Sequence, residues 1–64
     1  MLHVSEILLQ HREMESFKDL CAVIRRKARE GEMHLRLDIK PPFSDTPQDW
    51  EDRLEAAFSG LASP

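Results

Sequence analysis

Few residues in this chain have types and spacing that suit chemistry, so the spacing can be checked residue by residue. His3, His11, His34 and Cys21 are the soft donors. A zinc site wants ligands in tight pairs such as C-x2-C or H-x3-H, because one turn of chain must aim both at one ion. No two of these four stand at such a spacing. If the region from His11 to Cys21 is helical, ten residues of rise separate the two by about 15 Å, too far for a nucleophile and its base. The two glycines, Gly31 and Gly60, provide neither a phosphate-cradling loop nor a G-x-S-x-G elbow. Glu13 with Glu15 and Asp49 with Asp52 read as solvated carboxylates. The expectation is a non-enzymatic chain with no catalytic residue, no metal and no cofactor.

Positive charge is the other chemical signal. Arg25-Arg26-Lys27-Ala28-Arg29 puts four cations in five residues. On a helix end this run complements the dipole. On an exposed face it would suit the phosphates of a duplex, with Arg36 and Lys40 extending the patch. Against the second use, the chain has a net charge of −3, and from Pro41 onward it carries five acids against one base. Nucleic-acid binding through Arg25, Arg26, Lys27 and Arg29 is therefore the alternative expectation and not the first.

Three elements must position these groups. The stretch from about Val4 to Glu30 lacks Pro and Gly and ends at Gly31, a helix stop. It reads as one long helix, with a break near Glu15-Ser16 if Ser16 and Asp19 start a second one. Ile7, Met14, Cys21 and Ala28 recur every seven residues, with Gln10, Phe17 and Ile24 as the matching seam. Leu2, Leu9 and Leu20 widen the apolar arc to about 160°, more than one short helix of the same chain would cover.

From about Glu32 to Lys40, Met33, Leu35, Leu37 and Ile39 alternate with His34, Arg36, Asp38 and Lys40, the period of a half-buried strand. Pro41-Pro42 stops it. A last helix is expected over about 47–59, with Thr46 as N-cap and Pro47 in the first turn. Trp50, Leu54, Ala57, Phe58 and Leu61 would form its apolar face, with Asp49 and Arg53 an i,i+4 pair.

Sixty-four residues allow one small domain, spanning 1–64, that buries only about 60% of its unfolded surface. With a single cysteine no internal disulfide can staple it. A lone strand also needs a hydrogen-bonding partner. The only other extended piece is a short one at Leu2-Val4, so the simplest partner is the same strand in a second copy. The expected fold is α+β: a helix–strand–helix protomer, with a two-stranded antiparallel sheet formed across a homodimer. Met14, Phe17, Cys21, Ile24, Leu35, Leu37 and Ile39 would make the dimer interface. The chain resembles the ribbon–helix–helix repressors in part. They place the strand before both helices and this sequence places it between them, so their motif is not carried over.

Val4, Leu8 and His11 project away from the main seam, with Ile7 at its edge, and these four are the expected partner-binding patch. The functional expectation is a small interaction module that binds a larger protein and modulates or inhibits it, as small chains carried by phages and plasmids often do. The alternative is a small dimeric DNA-binding regulator. No leader-like start and no apolar run of about 20 residues is present, and one unpaired cysteine suits a reducing compartment, so the expected location is cytoplasmic.

Overall fold

A computed structural model describes residues 1–60. It is a small mixed protein of three helices and a two-stranded parallel sheet, in the order β1 (Leu2–His3), α1 (Val4–Gln10), α2 (Phe17–Arg29), β2 (Leu35–Arg36), α3 (Trp50–Ser59). Leu61, read from the sequence as the last residue on the apolar face of the third helix, lies outside the described residues.

The long helix expected over 4–30 is two helices. The reason is capping chemistry at Ser16. Its hydroxyl accepts the Asp19 N–H at 3.1 Å, and the Asp19 carboxylate reaches back to accept the Glu15 N–H at 2.9 Å. Ser and Asp at this spacing offer the backbone an alternative to continuing a helix. The Phe17 N–H, a free donor at the helix start, is taken by Asp45 Oδ1 at 2.8 Å. Upstream, α1 closes with the His11 N–H on the Ile7 carbonyl at 2.9 Å, and a turn joins the Met14 N–H to the His11 carbonyl at 3.2 Å.

The break explains the wide apolar arc. Two shorter helices turn their apolar faces toward one core, where Val4, Ile7, Leu20, Ile24 and Leu54 are the largest fully buried side chains. Met14 and Phe17 close the same cluster, and Cys21, Leu35, Leu37, Phe43, Trp50 and Phe58 pack on it half-buried.

The expected strand over 32–40 shortens to Leu35–Arg36 and finds a partner inside the chain. Leu2 pairs with Leu35 and His3 with Arg36, in parallel. The Leu2 N–H donates to the His34 carbonyl at 2.9 Å. The ladder stops after two residues because β1 has only two to offer before α1 begins at Val4. A parallel pair needs a crossover, and α1 with α2 supplies it. The need for an outside partner to satisfy this strand is thus met on one edge by Leu2–His3.

The N-terminus of α1 is capped from a distance. Asp38 accepts the Ser5 N–H at 3.1 Å and the Ser5 hydroxyl through its other oxygen. His3, at the N-cap position, makes no side-chain cap of its own.

The third helix begins at Trp50, three residues later than Thr46-Pro47 suggested. The Thr46 hydroxyl is committed elsewhere: it donates to the Pro41 carbonyl at 3.2 Å, and the Thr46 N–H closes a turn on Phe43. Asp49 takes the N-cap place, Glu51 and Asp52 lie in the first turn where acids favour the dipole, and Arg53 Nε donates to Asp49 Oδ1 at 2.9 Å. Gly60 ends the helix in the left-handed region, φ 83°.

Candidate functional site

Among the described residues a groove of about 610 Å³ lies between α2 and α3. Phe17 and Cys21 from α2 and Ala56 and Ala57 from α3 give it an apolar floor. Small side chains on α3 make the space: alanines at these two positions leave room that leucines would fill. Three cations, Lys18, Arg25 and Arg53, and three carboxylates, Asp45, Asp49 and Asp52, line it as well. The loop that carries Asp45 is held against α2 by the bond to the Phe17 N–H, so loop and helix define one wall together.

Cys21 is the one free thiol. Burial pushes its pKa up; the Arg25 and Arg53 guanidinium groups offset part of that rise and Asp45 adds to it. A raised pKa keeps a thiol protonated, and a protonated thiol is a poor nucleophile. Arg25 is half-buried, and its Nη1 is fully shielded with no hydrogen-bond partner among the described residues. A shielded donor of this kind is costly until an acceptor reaches it.

The residues singled out from the sequence do not gather in one place. Val4 and Ile7, expected to meet a partner, are 0% and 1% exposed and belong to the protein's own core. That corrects the partner patch: only Leu8 and His11, both half-buried, keep surface there. His11 Nδ1 stands 3.2 Å from Glu13 Oε2. Of the residues expected at a dimer interface, Met14, Phe17 and Ile24 are spent on the internal core. Cys21 faces the groove, Leu35 and Leu37 are half-buried, and Ile39 is 44% exposed.

The basic run is spread around the helix, as 100° per residue requires. Arg25 turns to the groove, Arg26 and Arg29 are exposed, and Lys27 Nζ lies 3.9 Å from Glu30 Oε1. Among the described residues no three His, Cys, Asp or Glu side chains form a group able to hold a metal ion. No helix among them is long and apolar enough to cross a membrane.

Asp45 and Asp38 are the residues whose roles sequence reasoning passed over. Asp45 and Asp38 act on amides 28 and 33 residues away, and no local pattern marks such a pairing. Compared with protein-family models, curated proteins and solved structures, the chain matches none.

Proposed function

We propose that this protein is a non-enzymatic interaction module, a homodimer that docks on a larger protein and modulates or inhibits it. The α2–α3 groove carries this reading. Its floor is apolar and its rim is charged in both signs, with Arg25 among the cations. A partner segment that lays an apolar side chain on Ala56 and Ala57 and a carboxylate against the rim cations fits both features. The homodimer joins its protomers through the β2 segment, antiparallel across a two-fold axis. A reducing, cytoplasmic setting goes with the single cysteine, Cys21.

Affinity purification from the native host tests the docking. The wild-type chain retains one stoichiometric protein, and Ala56→Trp, which fills the groove from a half-buried position, releases it. Recovery of no stoichiometric protein, or equal recovery with Ala56→Trp, overturns the reading.

The exposed Arg26 and Arg29 favour a second reading, a dimeric DNA-binding regulator. It requires duplex binding that weakens steeply with salt and is lost when Arg25, Arg26 and Arg29 become glutamine. The net charge of −3 and the Lys27–Glu30 contact weigh against it.

A further inference from the structure

We infer that the α2–α3 groove takes an amphipathic helix of the partner protein, with carboxylates on its flank toward α2 and basic residues on its flank toward α3. This deepens the docking reading above and rests on it. The walls set the shape of the occupant. Through the bodies of α2 and α3 the N–H and C=O groups bond within each helix, so the groove offers an occupant side chains alone. A segment laid there as a strand would lose water from its own backbone groups and find no replacement. A helix brings its backbone hydrogen bonds with it. The two walls also run in the same direction. Lys18 lines the groove with Pro47 and Asp49, and further along Arg25 and Arg29 line an adjoining hollow with Ser59 and Gly60. A third helix laid along both can set its side-chain ridges between theirs.

Charge chooses the flanks. Lys18 and Arg25 lie about 20° apart around α2 and about 10.5 Å apart along it, two turns, and Arg29 continues the line one turn further. Asp19, the one acid of α2, lies on another face, about 100° from Lys18. Among the described residues Lys18, Arg25 and Arg29 have no ion-pair partner. On the other wall Asp49 accepts from Arg53 and Asp45 accepts from the Phe17 N–H, which leaves Asp52 without a bonded partner among the described residues.

One helix meets both demands. It carries two acids two turns apart for Lys18 and Arg25, small apolar residues over Cys21, Ala56 and Ala57, and a base for Asp52. A helix with both signs is not repelled by the net charge of −3 as a purely acidic one would be. A second copy of this chain supplies no such helix: α1 has no base, α2 has the single acid Asp19, and α3 has the single base Arg53, bonded to its own Asp49.

The probe is a dye-labelled synthetic helix of about four turns, held by a side-chain staple, with leucine and alanine on its seam, two glutamates two turns apart on one flank and lysines on the other. Fluorescence anisotropy with the full chain should show saturable binding that Ala56→Trp abolishes. Lys18→Gln with Arg25→Gln should weaken it about tenfold, the size expected of two ion pairs at an exposed rim. Glutamine in place of the two peptide glutamates should weaken it equally, and both changes together should weaken it no further. Lys18 is exposed, so Lys18→Gln alone keeps the test readable if the Arg25 change disturbs packing; it should weaken binding about threefold. Circular dichroism confirms that each variant is folded.

No saturation by about 1 mM peptide, or losses that add when the two changes are combined, overturns the helix. The docking reading stands apart from that result: it survives if the chain still retains a host protein that Ala56→Trp releases, and falls if it does not. Light scattering covers the remaining occupant. A wild-type mass of twice 7.4 kDa that Ala56→Trp returns to 7.4 kDa would put a second copy in the groove and overturn the inference.

Discussion

Replacing Leu54 with alanine tests the packing of the whole fold at its centre. Leu54 is 0% exposed and is the larger of the two α3 residues, with Ala57, that enter the shared core. Removing three carbons at about 0.8 kcal/mol per buried methylene loses about 2.4 kcal/mol. The space left behind adds to that, for a total of about 3 kcal/mol. A domain of 64 residues has about 3–10 kcal/mol in all at 0.05–0.15 kcal/mol per residue, so the variant stands close to unfolding. Urea titration followed by circular dichroism and by the fluorescence of Trp50, the single tryptophan, reads the loss. With a slope of about 1 kcal/mol per molar, the midpoint falls by about 3 M. On heating, the midpoint drops by about 12–24 °C. One protein concentration is kept throughout, because self-association, if the chain dimerises, makes stability depend on it. Leu54→Val, expected to cost about 1 kcal/mol, keeps the experiment readable if the alanine variant is unfolded. Leu9→Ala is the control: Leu9 is 67% exposed, and its loss should stay within about 0.5 kcal/mol. A Leu54→Ala variant that loses under about 1 kcal/mol, or no more than the Leu9 control, would refute the placement of α3 against this core.

Three further outcomes follow from the geometry. Ser16→Ala should cost about 1 kcal/mol, and Asp45→Ala about 1.5 kcal/mol, because each leaves an amide at the start of α2 without its acceptor; chemical denaturation that shows neither loss would contradict the break before Phe17. The Ser5 hydroxyl, and then the Ser5 N–H, hold the Asp38 carboxyl below its ordinary value. Its folded pKa is depressed, so the stabilisation is present above the unfolded value of about 3.9 and is lost as pH falls through the folded one. Carbon-detected NMR titration should find Asp38 low in the wild type and raised toward normal in Ser5→Ala. Cys21 should react more slowly with a disulfide reagent at mildly alkaline pH than the urea-unfolded chain does, and equal rates would show that the groove does not shelter it.

Local chemistry determined what the sequence alone could reveal. Helical spacing, Gly31 and Gly60 at helix ends, the Ser16-x-x-Asp19 signal and the alternation around Leu35 all act within a turn or two of chain, so their residues carry the pattern on their face. The mixed α+β class follows from them. Tertiary structure decided the rest. Whether a helix runs through Glu15 or stops there depends on what its apolar arc packs against, and a break lets Val4 and Leu20 share one core. The partner of β2 was decided by where α1 and α2 return the chain, and two residues of β1 limit the ladder. Val4 and Ile7 look like a docking patch on a helical wheel and become core once a second helix turns onto them. Asp38 and Asp45 cap helices whose sequences hold no trace of them, because a hydrogen bond across about 30 residues depends on the path of the whole chain and on no local spacing.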